Sequence, residues 1–271
     1  MERWRLTTDE VLALGRALGI HDLPQTLVGR SRHQTMDDRD DALDRATDEM
    51  VARGLIVDGV VDPNVAAAVN TMWQPHREIA MRRVTPHGTA YVSVLRNGAT
   101  RIRVRRINEN VLLHRVNSAD ILNGAVKALM DDLPAARPAD IEPTGAPQPE
   151  LAESLSGTHD ARALSDRIRA LGSSPRAAVL LGTALAERQA FAEIVYYRLV
   201  SDEGRVTRYP SAVAVFYTAR GRIVSTPSIS PAGELWTTLR PGTDTAVGQA
   251  VRQLVALSGE GWEENHIDYD T

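Results

Sequence analysis

The chain has 271 residues, enough to bury a sizeable core as one large domain or two packed halves, and its 43% hydrophobic and 24% charged residues are a globular mixture. A net charge of −4 argues against a whole-protein nucleic-acid binder, and the lack of cysteine excludes disulfides, thiolate metal sites and cysteine nucleophiles. No apolar run reaches the ~18–20 residues of a membrane-spanning helix, and Met1-Glu2-Arg3-Trp4-Arg5-Leu6 lacks the apolar centre of a signal peptide. The expected setting is therefore cytoplasmic, without integral membrane association. Lys127 is the only lysine, so almost every cation is an arginine, suited to planar, multi-donor contacts.

The first elements have a helical period. Thr7 and Glu10 form a capping box, Val11, Leu14 and Leu18 share a face, and Gly19 is a stop. After a loop through Pro24, a second helix is expected from about Asp37 to Arg53, with Leu43, Ala46 and Met50 as its apolar stripe and Gly54 ending it. Asp62-Pro63 is an N-cap with proline at the first helical position, opening a third helix that buries Val65, Val69 and Met72 and closes at Pro75.

The period then shortens to two. Segments 77–84, 90–96, 101–107 and 111–116 read as strands, and Asn97-Gly98 is a hairpin turn. Ser118 is expected to cap a helix whose face is Leu122, Ala125 and Leu129. Residues 134–150 hold Pro134, Pro138, Pro143, Pro147 and Pro149 with little periodicity, and read as a linker. Helices follow near 150–156 and 159–171, and Ser174-Pro175 opens another that runs to about Glu187. Strand patterns recur at 191–200, 206–218, 221–227 and 234–239, with turns at Asp202-Glu203-Gly204 and Arg220-Gly221, and a last helix from Thr243 buries Val247, Val251 and Leu254. Helices, about four strands and one helix thus occur twice. The expected fold class is α+β with an antiparallel sheet and a pseudo-twofold internal repeat. It has an N-terminal half (1–133), the proline-rich linker (134–150) and a C-terminal half (151–271), packed as one domain.

Signatures of chemistry are missing. None of the seven histidines lies in an HExxH or HxH spacing, and no GxGxxG, GxxxxGK[ST] or GxSxG run occurs. No catalytic residue, metal or cofactor is assigned. Pro241-Gly242-Thr243 precedes a helix N-terminus, where a loop-closing cap is the simpler reading than an anion site. Arg101, Arg103 and Arg105 alternate with Ile102 and Val104, as a solvated face over an apolar one, as the charged part of a protein-binding surface or, as the least favoured reading, as a phosphate site. The row lacks interleaved aromatics, so it makes a poor nucleic-acid platform. Tyr196, Tyr197, Tyr209, Phe216, Tyr217 and Trp236 gather on neighbouring strands, with a bulky residue on both faces of 191–200. They are core against the helices or, where a face stays open, a patch suited to protein recognition.

Several short runs taken together resemble a known family. They are Phe191-Ala192-Glu193-Ile194-Val195, Gly221-Arg222-Ile223-Val224-Ser225 with Pro227, and Leu235-Trp236-Thr237-Thr238-Leu239-Arg240-Pro241-Gly242-Thr243, followed by Gly261-Trp262. The first half adds Leu6-Thr7-Thr8-Asp9-Glu10, Arg53-Gly54-Leu55, Asp62-Pro63 and Pro75 before Arg77-Glu78-Ile79. In this order, over almost the whole chain, they resemble the EspG family, secretion-associated chaperones of ESX (type VII) systems in actinobacteria. The resemblance implies a central antiparallel sheet flanked by two helical bundles. It also implies a cytosolic, cofactor-free, non-enzymatic protein that binds PE–PPE heterodimers at the apolar tip of the PPE subunit. Such a protein keeps its client soluble and directs it to the secretion system. The implied client surface lies on the strands around 191–218 and 234–239 and on the last helix, giving Tyr196, Arg198, Val213, Val215, Tyr217, Trp236 and Thr238 as candidates, with Arg101 and Arg103 from the first half. The competing reading is a small-molecule-binding or enzymatic α+β protein with an arginine-lined anion pocket. An exposed strand edge would also let two copies pair as a homodimer.

Overall fold

The computed structural model describes residues 2–20, 33–200, 205–259 and 261–263. The loop through Pro24, the turn Asp202-Glu203-Gly204 and the acidic residues Glu264, Asp268 and Asp270 lie outside them. The first half holds strand β1 (Arg3–Thr7), helices α1 (Thr8–Ala17) and α2 (Met36–Ala52), a short ribbon of β2 (Ile56–Val57) and β3 (Val60–Val61), and helix α3 (Pro63–Trp73). Strands β4 (Arg77–Thr85), β5 (Gly88–Asn97), β6 (Thr100–Ile107) and β7 (Asn110–Arg115) follow, then helix α4 (Ile121–Met130). The second half holds β8 (Thr144–Pro147), α5 (Gln148–Ser154), α6 (Ala161–Ala170), α7 (Pro175–Ala186), β9 (Arg188–Val200), β10 (Arg205–Thr218), β11 (Gly221–Ile229), β12 (Leu235–Pro241) and α8 (Asp244–Ala256).

Local chemistry sets these boundaries. Thr7 Oγ1 accepts from the Glu10 amide and the Glu10 carboxylate accepts from the Thr7 amide at 2.6 Å, which completes the expected capping box. Asp62, Ser174 and Thr243 cap α3, α7 and α8 as their sequences indicate, each such cap contributing about 1 kcal/mol. At α4 the cap is Asp120 and not Ser118, whose hydroxyl instead donates to the Asp120 carbonyl at 2.8 Å. Gly98 follows the last β5 residue at φ +54, a backbone angle that costs glycine nothing in a tight hairpin.

Ten strands form one sheet in the order β1-β7-β6-β5-β4-β9-β10-β11-β12-β8, every neighbouring pair antiparallel. The halves join where β4 pairs with β9, from Arg77↔Arg198 to Val84↔Phe191. Two elements differ from the sequence reading. Arg3–Thr7 is an edge strand paired with β7 before the capped helix begins. Residues 134–150, expected as a linker, bury Ala139 and Ile141 and supply the opposite edge strand β8. Proline is tolerated at an edge because no further strand needs its missing N–H, so a proline-rich run can end a sheet without showing alternation.

The helices fall on both faces. On one face α4 and α8 cover Ile79, Met81, Val92, Val94, Ile194, Val213, Val215 and Val224, and Trp262 closes the same core. On the other face α1, α2 and α3 bury Leu95, Ile102, Val104 and Leu113 at one end of the sheet. At the opposite end of that second face α5, α6 and α7 bury Ile223 and Leu239. Each fully buried aliphatic side chain contributes about 1.5–3 kcal/mol. In the latter cluster α6 and α7 touch at Gly182, where an added Cβ would lie 2.7 Å from the Ser165 amide nitrogen and 2.9 Å from its Cα. Gly182→Ala should therefore cost about 1–3 kcal/mol through overpacking. A denaturant midpoint unchanged by that substitution would refute the close approach.

Candidate functional site

Strand alternation decides what faces the gap between the two helical clusters. Leu95 belongs to the α1–α3 cluster and is paired with Glu78, so Glu78, Ala80 and Arg82 of β4 lie on that face. Their β9 partners are Tyr197, Val195 and Glu193, and Ser93 and Tyr91 of β5 stand opposite Ala80 and Arg82. Arg208 of β10 pairs with Tyr197. α3 packs on β5 and β6 and α7 on β10, so these residues form the floor of a cleft between the two helical clusters, enclosing a cavity of about 180 Å³.

The floor carries one buried acid. Glu78 is 2% exposed, and the Ser93 hydroxyl, itself buried, donates to its Oε1 at 2.6 Å. Burial pushes the Glu78 carboxyl up to about 7, and the Ser93 hydrogen bond offsets only part of that. Tyr197, beside it, is raised above the usual phenol range by burial and then by the Glu78 charge. Towards the rim Glu193 accepts from Arg82 at 3.3 Å and from Arg208 at 3.1 Å. The Arg106 guanidinium lies over the Tyr91 ring at 4.4 Å and that of Arg82 over Phe191 at 5.5 Å. Tyrosine and arginine, which surround the apolar strip here, are residue types enriched where proteins meet, since both present large contact areas that keep a polar end in water. Glu78 and Ser93 are 2% and 1% exposed, at the bottom of the cleft.

The sequence-derived candidates do not gather in one place. Tyr196, Val213 and Val215 are core residues covered from the α4–α8 side, with the Tyr196 ring 6.2 Å from that of Trp262. As free-surface residues these three are corrected by the structure: on a strand covered on that face, the inward set is buried whatever its chemistry. Tyr217 is half-buried and donates to the Pro134 carbonyl at 3.2 Å. Trp236 and Thr238 are half-buried against Gly145 of β8, where an added Cβ would meet Trp236 Nε1 at 2.6 Å. Arg103 pairs with Asp132, as does Arg105 at 2.7 Å, so this part of the arginine row is committed within the molecule. Arg101 donates to the Ser118 carbonyl at 3.0 Å, and Arg198 stands opposite Arg77. Glu78, Ser93, Tyr91, Arg82, Glu193 and Arg208 were not singled out from sequence. The available signal was a carboxylate next to Ile79 in a strand with a buried residue on either side of Glu78.

The Glu78 shift has a definite sign in stability. The folded carboxyl holds its proton more tightly than an unfolded one, whose ordinary value is 4.5. Its contribution is therefore complete below that value and is lost as pH rises towards 7. Glu78→Gln cannot ionise, so its unfolding free energy should gain on the parent by up to about 3 kcal/mol between pH 4.5 and 7 and then level off. Paired denaturant titrations that keep a constant difference over this range would contradict it.

Residues 7–253 match the EspG family. The chain is 25% identical over 257 residues to ESX-3 secretion-associated protein EspG3 of Mycolicibacterium smegmatis, covering 94% of this chain and 87% of the relative. To the protein of the same name in Mycobacterium tuberculosis it is 23% identical over 271 residues, covering 94% and 91%. Its fold matches the solved structure of the M. tuberculosis type VII secretion system chaperone EspG5 in complex with a PE25–PPE41 dimer. That match has a TM-score of 0.77 and 18% identity, over 97% of this chain and 98% of that one.

Proposed function

The chain belongs to the EspG family, and from that premise we propose that it is a cytosolic ESX secretion chaperone that takes a PE–PPE heterodimer through the PPE subunit. The family match over residues 7–253 carries this reading. As a member of that family the chain is a secretion chaperone and not an enzyme, which sets aside the arginine-lined anion pocket. The PE25–PPE41 dimer held by EspG5 supports the client class. Among the described residues no helix is long and apolar enough to cross a membrane, which is compatible with the cytosolic placement.

The client's place is the cleft floored by β4, β9 and β10. An apolar helical tip exposed on a secreted protein is an aggregation liability. Covering it gains roughly 25 cal/mol per Å² of apolar area, much of it offset by the cost of association and side-chain ordering. Val195, Tyr197 and Tyr91 offer area for that exchange, and the Arg82–Glu193–Arg208 rim is hydrated enough for the complex to come apart before export. Trp236 and Thr238, on the opposite face of the sheet beside α8, are the alternative seat.

The symmetry of the sheet order supports a further part of the reading, a duplicated unit. β1-β7-β6-β5-β4 in one half is answered by β8-β12-β11-β10-β9 in the other. In an experimental structure, superposing residues 3–130 on 144–256 should bring β4–β7 onto β9–β12 and α4 onto α8. A superposition that requires a different strand order would end the idea.

Co-expression with a PE–PPE pair from the same genome should yield a soluble 1:1:1 complex. Tyr197→Ala combined with Arg208→Glu should lower client recovery at least ~10-fold, the scale of lost contacts at an interface centre, while Trp236→Ala leaves it unchanged. Loss at Trp236 alone would move the seat to the other face, and failure of every such pair to co-purify would refute the client assignment.

A further inference from the structure

Arginines collect on the α4–α8 face of the sheet in two groups. Arg101, Arg96, Arg77 and Arg198 stand opposite one another in a row across β6, β5, β4 and β9. All four are partnered within the molecule. Arg101 donates to the Ser118 carbonyl, Arg96 to those of Gly98, Trp262 and Glu263, and Arg77 to that of His76. The second group lies towards the β1 edge. Arg3 of β1 stands opposite His114 of β7, and His114 opposite Arg103 of β6; two residues along, Arg5, Leu112 and Arg105 repeat the arrangement. Arg103 and Arg105 are paired with Val94 and Val92 of the α4–α8 core, which places the group on that face. α4 packs on β4 and β5 and α8 on β9, β10 and β11, and among the described residues none of β6, β7 or β1 belongs to their core.

Charge in this second group is not balanced. Asp132 is ion-paired with both Arg103 and Arg105, and its own carbonyl accepts from Arg83. Among the described residues, no hydrogen bond or ion pair holds the guanidinium of Arg3 or of Arg5, and both residues are exposed. Arg105 meets Asp132 through Nε, which leaves its two terminal nitrogens to face outwards. His114, between Arg3 and Arg103, is held below the ordinary imidazole range by burial first and then by those two arginines. Beside it lies a cavity of about 260 Å³ lined by Arg3, Arg5, Arg105, Ile107, Asn110 and Leu112.

The spacing of these cations selects a ligand. Arg3 and Arg5 are about 7 Å apart along β1, and Arg105 lies two strand spacings, about 10 Å, across from Arg5. Alternate residues of an extended peptide present their side chains on one side at the same ~7 Å interval. Two carboxylates of such a peptide meet Arg3 and Arg5, each as a bidentate partner, and a third reaches Arg105. A single phosphate covers one corner of this area. A bilayer surface is flat, whereas the Arg105 side chain is set back, 34% exposed. The outer edge of β1 is closed to a further strand, because Arg53 donates to the Arg5 carbonyl and the Glu10 carboxylate accepts from the Thr7 amide. The peptide therefore lies across the face and not beside the edge. We infer that Arg3, Arg5 and Arg105 dock an acidic segment of a partner protein, on the side of the sheet opposite the client cleft. A client in the cleft and an acidic protein on this face can be held together. The site does not rest on the client assignment and is tested without a client.

The probe is a fluorescently labelled peptide of alternating aspartate and serine, titrated with the full chain at low salt. Arg3→Gln combined with Arg5→Gln should weaken its binding about 10-fold, the scale of two exposed charge pairs. Arg162→Gln combined with Arg169→Gln, two exposed arginines of α6, removes the same charge and should leave the affinity unchanged. A second measurement uses the unsubstituted chain. Saturating peptide should move the NMR titration of His114, assigned through His114→Asn, to higher pH, since carboxylates beside Arg3 offset its repulsion. Equal weakening by the two pairs of substitutions, or a His114 titration that the peptide leaves in place, would overturn the inference. So would a chain that takes up inorganic phosphate or phosphatidylserine vesicles but not the peptide, or none of the three.

Discussion

The pairing of β4 with β9 is the constraint on which the rest of the structure depends. Without it each half would be a five-stranded sheet with an exposed inner edge, and unpaired edges invite association with other chains. With it the inner edges satisfy one another from Arg77↔Arg198 to Val84↔Phe191. Among the described residues, the edges of this sheet are the short strands β1 and β8. Central β4 and β9 then have to serve two different environments, since α4 and α8 cover one face and the other lies between two helical clusters.

That asymmetry explains the chemistry found at the seam. Ile79, Met81, Ile194 and Tyr196 enter the α4–α8 core, while Glu78, Ala80, Val195 and Tyr197 line the cleft. A carboxyl is tolerated at Glu78 because Ser93 hydrogen-bonds it and because its pKa rises until it can hold its proton near neutrality. The same seam aligns Arg77 between Arg96 and Arg198. A family-level function in protein escort fits a sheet that leaves one strip uncovered by its own helices.

Much of the fold was legible because its signals are local. The Thr7–Glu10 capping box, Asp62-Pro63, Ser174-Pro175 and Thr243 each mark a helix start by hydrogen bonds made within three residues. The alternation of Val92 and Val94 or Val213 and Val215 marks strands in the same way. β1 was not legible, since Arg3-Trp4-Arg5 alternates charge with bulk over too few residues to separate from a helix lead-in. β8 was hidden by its prolines, which a linker and an edge strand accommodate equally well. Tyr196 and Tyr197 are neighbours of one type, and the sequence indicated a bulky residue on each face but not which face is covered. The answer, Tyr196 inside and Tyr197 in the cleft, comes from α8 and Trp262 packing on one side only.

The sequence by itself determined the α+β class, the period of nearly every element, and through its ordered motifs the family, because capping, alternation and motif order are properties of contiguous residues. Tertiary structure alone decided that the halves share one sheet, that Tyr196, Val213 and Val215 are core, that Glu78 lies buried on a cleft floor, and that four arginines from four strands fall into one row. Those facts rest on strand register and on which face each helix covers, both fixed by pairings between residues far apart in the chain, as Arg77 and Arg198 are.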